Sequence, residues 1–313
     1  MKEQNDDKHA GALEIVRRLR REGFEAFFVG GCVRDSLRGA TPGDYDIVTS
    51  ALPNQVVGLF QRTVAVGAKF GVIVVVIDGR AYEVATYRSD GVYEDGRRPA
   101  AVSFSTARED VLRRDFTVNG LLMDPFSGEI LDYVGGRSDI DQKVLRTIGD
   151  PDVRFGEDRL RMLRAVRFAA NLGYALDLET QKAIARHAGK IREISAERIA
   201  EELQKILTRG GARKGFERLS ETGLLQEVLP EVEQMRGVLQ PPLFHPEGDV
   251  WEHTMILLDL LSSETAPETS PALAWAALLH DVGKPLARTQ DEKGIHFYGH
   301  AKLGERIAFD IAL

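Results

Sequence analysis

The sequence predicts an α+β protein, a small mixed sheet with helices followed by a longer, mostly helical remainder. Three observations carry this. Up to about residue 90, short β-branched runs alternate with helix-period stretches; from about Ala107 onward the character is helical; and LQPPLFHPEGD (239–249), with its three prolines, sets off a histidine-bearing tail. At 313 residues the chain is long enough for two or three domains. The expected segments are 1–140 for the sheet-bearing head, 141–240 for a helical middle and 241–313 for the tail.

Ala12 to Glu22 carries Ile15, Val16 and Leu19 at helical spacing and stops at Gly23, after which FEAFFVGG reads as a buried strand. DYDIVTS is a second strand, and Pro53 to Gln61 a second helix. GVIVVVI and AYEVATY flank Asp78-Gly79-Arg80, a strand pair joined by an Asp-Gly turn. SDGVYEDGRRPAA (89–101) has no usable periodicity and is expected to be a mobile loop. Beyond it the helical character is broken by LDYVGGRSD and TIGDPD.

Composition sets outer limits on function. A 43% hydrophobic and 28% charged chain with no apolar run of membrane-spanning length is expected to be soluble, and the polar MKEQNDDKHA start is not a secretory signal, so a cytoplasmic location is expected. A single cysteine, Cys32, excludes an intramolecular disulfide and reads as a small buried hydrophobe. A net charge of −7 argues against coating nucleic acid by bulk electrostatics. Yet Arg154 to Arg218 holds 15 Lys and Arg against 9 Asp and Glu, a candidate polyanion surface or a set of solvated helix faces.

Chemistry concentrates at three places. Side chains alternate along a strand, so Asp44 and Asp46 share a face and repel each other unless a cation lies between them. Hard oxygen ligands of this kind suit Mg²⁺ shared with substrate phosphates; a lone D-x-D on a polar edge strand is the alternative. Gly30-Gly31 lets backbone approach a phosphate, with Arg34 as a donor, or is simply a tight turn. Glu83, on the hairpin strand, is a third acid. Three carboxylates around a metal pair are an arrangement used for in-line phosphoryl or nucleotidyl transfer.

FFVGGCVRDSLRG, DYDIVTS, YEVATYR, RRDFTVNGLLMD and RTIGDPDVRFGEDRLRMLRAVRFAANLG, in this order over roughly residues 24–240, resemble the motifs of the class II tRNA nucleotidyltransferase and bacterial poly(A) polymerase family. The resemblance implies a polymerase-β-like nucleotidyltransferase head, then an all-α neck and body. It implies that Asp44 and Asp46 are the metal-binding catalytic pair, that Glu83 is the third carboxylate, and that Gly30, Gly31 and Arg34 hold the triphosphate. Arg114, Asp115 and Asn119 would contact the sugar and phosphates of the incoming nucleotide. Gly120 stands where the family usually has alanine.

In EDRLRMLRAVRFAA a helical wheel gathers Glu157, Asp158, Arg161 and Arg164 in one arc, opposite Met162, Leu163, Val166, Ala169 and Ala170. An Asp and an Arg one turn apart offer an acceptor and a donor fork that match the Watson–Crick edges of cytosine and adenine, or form an i,i+3 surface ion pair. In the family this helix is the amino-acid template that selects CTP and ATP. SAERIAEELQKILTRGGARKGFERLSETGLL resembles the neck-to-body helices that support the tRNA acceptor stem through phosphate contacts.

Five of the seven histidines fall in the last 69 residues, and HPEGDVWEHT with LLHDVGKP resembles the start of an HD domain. His253, His280 and Asp281 would hold a second divalent metal, with His300 as a further candidate. RIAFDIAL stops before the later aspartate of the HD pattern, so an incomplete HD segment is expected.

The reading is a Mg²⁺-dependent, template-independent nucleotidyltransferase that adds CCA from CTP and ATP to the tRNA 3′ end, with no membrane and no protein partner indicated. The loop at 89–101 favours an activity that includes the terminal adenosine. Addition of the terminal AMP alone, poly(A) synthesis, an HD-type metallophosphohydrolase with a nucleotide-binding front, and a pure RNA-binding module are the alternatives.

Overall fold

The β-branched alternation between residues 26 and 86 closes into one sheet. A computed structural model describes residues 2–91, 101–262, 269–292 and 294–312, in two units, Met1–Asp158 and Arg159–Leu313. The first unit opens with α1 (Lys2–Arg21), β1 (Ala26–Val29), α2 (Gly31–Leu37), β2 (Asp46–Thr49), α3 (Pro53–Leu59), β3 (Thr63–Gly67), β4 (Val72–Ile77) and β5 (Arg80–Thr86). After these come β6 (Arg88–Asp90), β7 (Val102–Phe104), α4 (Ala107–Leu112), β8 (Leu121–Met123), β9 (Ile130–Asp132), α5 (Gly136–Gln142) and α6 (Pro151–Glu157).

The main sheet has seven strands in the order β3-β4-β5-β2-β1-β8-β9. Its pairings are antiparallel except β2 with β5, which run parallel with Ile47 opposite Val84. The expected α+β class holds. α1 starts ten residues earlier than the sequence suggests, and its Ala12, Ile15, Val16 and Leu19 are fully buried against the sheet. The β4–β5 hairpin turns at Asp78 (φ 49°) and Gly79 (φ 75°), the left-handed pair that the Asp-Gly signal calls for. On the opposite face Val29, Val48, Val111 and Leu122 form a second apolar cluster under α4.

The expected loop at 89–101 is entered and left by a short hairpin, β6 with β7, in which Ser89 faces Ser103. Residues 92–100 of that expectation lie outside the described residues.

The second unit is helical: α7 (Leu160–Leu172), α8 (Leu178–His187), α9 (Ala196–Thr208), α10 (Ala212–Glu221), α11 (Leu224–Val228) and α12 (Pro230–Glu233). Then follow α13 (Val250–Leu261), α14 (Pro271–Leu279), α15 (Lys284–Ala287), the small hairpin Thr289–Asp291/Gly294–His296, and α16 (His300–Ala312). α7 packs on α9 and α10, and α13 on α10 and α14, around Ile206, Phe216, Leu219 and Met255. Arg167 and Glu202, both buried, pair at 2.6 Å between α7 and α9. Among the described residues no helix is long and apolar enough to cross a membrane.

The structure corrects one element. The wheel drawn through residues 157–170 as a single helix is interrupted: α6 ends at Glu157, Asp158 is extended (φ −142°, ψ 106°), and α7 starts at Leu160. Gly156 and Asp158, poor helix formers side by side with the end of α6, explain the stop. Arg161 is buried at 8% exposure rather than lying on an open charged face.

Candidate active site

Tyr45 decides where its neighbours point. It is buried beneath α1, with its ring 5.1 Å from that of His9 and 5.3 Å from that of Phe28. By alternation Asp46 faces the other side of the sheet, as does Val48 in the apolar cluster there. Asp44 lies before β2, outside the strand expected to carry it, and is exposed. Asp46 pairs with Val29, immediately before the glycine pair. One step before the parallel Ile47–Val84 pairing, Asp46 and Glu83 stand side by side on β2 and β5. The three acids line an open cavity of about 410 Å³, together with Lys8, Arg80 and Tyr82.

Bringing the acids together has an electrostatic cost. The Asp46 carboxyl is pushed up to about 6, first by desolvation, then by Glu83, with a smaller push from Asp44; Arg114 pulls the other way. Asp46 is exposed by surface area, so solvent screens this repulsion in part. Hard, converging oxygens with an unfavourable ionised state are a donor set that fits a divalent cation. Lys8 supplies a positive charge meanwhile, donating from Nζ to Asp44 Oδ1 at 2.8 Å and to Gly43 O at 2.7 Å.

Gly30 has φ 75°, a conformation glycine adopts without strain, and a Cβ there would come within 3.9 Å of Arg114 Nη1. A Cβ on Gly31 would point at Arg34 Nη2, 3.7 Å away. Both guanidinium groups thus border the glycine pair. Arg34, 8% exposed, donates from Nη1 to Asn119 Oδ1 at 2.7 Å, and Asn119 Nδ2 donates to Asp115 Oδ1 at 3.3 Å. The structure therefore brings Gly30, Gly31, Arg34, Arg114, Asp115 and Asn119 into one connected corner beside Asp46. Neighbouring Cys32 is buried as expected, and desolvation pushes its thiol up to about 11.

Sequence reasoning missed Asp110. Fully buried on α4, it receives Arg113 Nη2 at 2.6 Å on one oxygen and Arg114 Nη2 at 2.9 Å on the other. Burial pushes its pKa up, but Arg114 and Arg113 outweigh that and hold it below the usual carboxylate range. Asp110 thereby orients Arg114 toward the acids. The signal was present as an acid three and four residues before Arg113 and Arg114 on a helix. Asp158 is the last residue of the first unit; Arg161 and Arg164 lie on α7 in the second, where Arg164 sits over the Phe168 ring at 5.4 Å.

In the second unit His253, His280 and Asp281 offer ligand atoms within 4.8 Å of one another. His280 Nε2 lies 3.2 Å and His253 Nε2 3.9 Å from Asp281 Oδ2, with His300 Nε2 3.8 Å from Oδ1. Buried Lys284 donates to Asp281 Oδ2 at 2.6 Å. α16 reaches this site because Gly283 has no side chain: a Cβ there would meet His300 O at 2.2 Å and Gly304 N at 2.5 Å. Imidazole nitrogens around one carboxylate are a borderline-soft donor set that fits a transition-metal or zinc ion.

Residues 26–146 match the poly A polymerase head domain, 173–235 the probable RNA and SrmB-binding site of polymerase A, and 250–313 the HD domain. The CCA-adding enzyme of Bacillus pumilus is 39% identical over 300 residues, which cover 96% of this chain and 68% of that protein. The chain belongs to the CCA-adding enzyme family. The CCA-adding enzyme of Geobacillus thermodenitrificans is 50% identical over 214 residues, 68% of this chain. The chain spans about half the length of such curated relatives, 53% in that case. Among solved structures, that of the Bacillus stearothermophilus CCA-adding enzyme in complex with CTP superposes with a TM-score of 0.70 at 35% identity, over 96% of this chain and 67% of that one.

Proposed function

We propose that the chain is a template-independent nucleotidyltransferase that adds CCA, from CTP and ATP, to the 3′ end of tRNA, with Mg²⁺ as its cofactor. One observation carries the reading: Asp44, Asp46 and Glu83 converge on one cavity beside Gly30-Gly31, with Asp46 bearing a raised pKa. The family's solved structures with CTP and with tRNA support the substrates.

The reaction joins the tRNA 3′-oxygen to the α-phosphorus of the incoming nucleotide, as the bond to pyrophosphate breaks and the hydroxyl proton is released. Asp44, Asp46 and Glu83 would hold the divalent ion, which when bound favours deprotonation of the 3′-hydroxyl and neutralises charge on the phosphates. Gly30 and Gly31 leave room for the triphosphate to approach the backbone, and Arg34 and Arg114 balance its charge. Asn119 and Asp115 hold Arg34 in place. On the strength of the sequence motif, Asp158, Arg161 and Arg164 are assigned to base choice. Lys and Arg side chains of α9 and α10 are assigned to tRNA phosphates.

The test is incubation with tRNA transcripts ending before CCA, after C or after CC, each with CTP, ATP or both. Extension of all three by the missing nucleotides is expected. Extension of the CC transcript alone would convert the reading to terminal A addition, long adenosine tracts would convert it to poly(A) synthesis, and no incorporation would sink it.

A further inference from the structure

The three imidazoles around Asp281 share one property. His253 Nδ1 lies 2.7 Å from Glu247 Oε1, His280 Nδ1 2.9 Å from Ala277 O, and His300 Nδ1 2.8 Å from Phe297 O. Carbonyl and ionised carboxylate oxygens only accept, so each Nδ1 is the protonated nitrogen and each Nε2 is the one left to bind a cation beside Asp281. Two of the rings are locked by backbone carbonyls. The third is locked by a side chain, Glu247, which precedes α13 and whose same oxygen also takes His245 Nδ1 at 2.9 Å. The His245 and His253 rings meet edge-on, with centroids 5.0 Å apart at 86°.

We propose that Glu247 is a positioning residue for cation binding at His253, His280 and Asp281: it fixes His253 as an Nε2 ligand, while His245 braces the carboxylate. His245, Glu247 and His253 also lie within ligand distance of one another. A separate ion there would require His253 to surrender its Nδ1 proton, and with Nε2 engaged beside Asp281 the ring would become a bridging imidazolate. A carboxylate–histidine–metal relay needs no such step, and removing its carboxylate typically weakens metal binding about 10- to 100-fold.

The experiment uses the full chain, stripped of metal, in an Asp46→Asn, Glu83→Gln background so that the carboxylate cluster of the first unit keeps only Asp44. Zn²⁺ is titrated against a fluorescent chelator, and histidine ¹⁵N shifts report the tautomers. Expected are one Zn²⁺ per chain, a loss of about 10- to 100-fold in affinity for Glu247→Gln and Glu247→Ala, a mixed His253 tautomer in both, and recovery in Glu247→Asp. His245→Ala should weaken Zn²⁺ less than Glu247→Gln. Affinity within twofold of the parent for both Glu247→Gln and Glu247→Ala would overturn the proposal. So would a second Zn²⁺ equivalent that His245→Ala abolishes, since the three residues would then be ligands of their own ion. Neither result depends on nucleotidyl transfer.

Discussion

Lys8 Nζ reaches from α1 to Asp44 Oδ1, 2.8 Å away and 36 positions along the chain. The Asp44 side chain is 86% exposed, so the pair is screened and modest in energy. Its consequence is competition, because the ammonium holds an oxygen assigned above to the proposed Mg²⁺ site. Lys8→Met is expected to lower the Mg²⁺ concentration for half-maximal incorporation by roughly twofold, the equivalent of about 0.5 kcal/mol. A Mg²⁺ titration of nucleotide incorporation checks it, and an unchanged or higher requirement counts against the competition.

Asp46 is held in an unfavourable ionised state. Its folded pKa, about 6, lies above the ordinary aspartate value of 3.8, so the folded state binds more protons than the unfolded state between those limits, and stability falls as pH rises through that window. At pH 7 to 8 without divalent ions, Asp46→Asn is expected to melt higher than the parent by roughly 2–4 °C, corresponding to about 1 kcal/mol after screening. The same variant should not incorporate nucleotide. Near pH 4 the two melting temperatures should converge, and a stabilisation that persists there would show another cause.

Asp110 is the opposite case. Its folded pKa is depressed, so its contribution is present above the unfolded value and is lost as pH falls through the folded one. Asp110→Asn leaves Arg113 and Arg114 without their buried partner and is expected to cost about 3 kcal/mol at pH 7. The difference from the parent should shrink only below about pH 4. Under conditions where the variant is folded, KM for CTP should rise as Arg114 loses its orientation. Urea unfolding and steady-state kinetics read the two effects separately.

Gly283 lets α16 approach closely enough for His300 to face Asp281. The added methyl of Gly283→Ala would overlap backbone atoms, which no rotamer change relieves. A loss of about 1–3 kcal/mol is expected, along with weaker Zn²⁺ binding in the second unit. Wild-type melting and wild-type Zn²⁺ affinity together would show that the helices part freely.

Much of the first unit is readable in the sequence because its signals are local. DYDIV announces the strand that carries Asp46, although Asp44 falls just before it, and Asp78-Gly79 announces the hairpin that carries Glu83. The break at Asp158 is not readable from apolar periodicity, which runs on through residues 160–170 without a proline to interrupt it. Asp110 is visible as an acid near two arginines, but only its complete burial under the sheet turns an ordinary helix-face pair into an orienting anchor. Lys8 and Asp44 meet through folding alone. In the sequence Glu247 is one acid in a proline-rich stretch, and only the fold sets two imidazoles on its one oxygen.

The Asp78-Gly79 turn sits at the far end of the hairpin from Val72 and Ala85, yet the Val74–Glu83 pairing depends on its length. Deleting one of its two residues would slip β5 by one against β4, and a one-residue slip reverses every side chain on the strand. Glu83 would then turn away from the cleft that it now lines. A pair of residues outside the lining of the cavity thus works as the vernier of the carboxylate cluster.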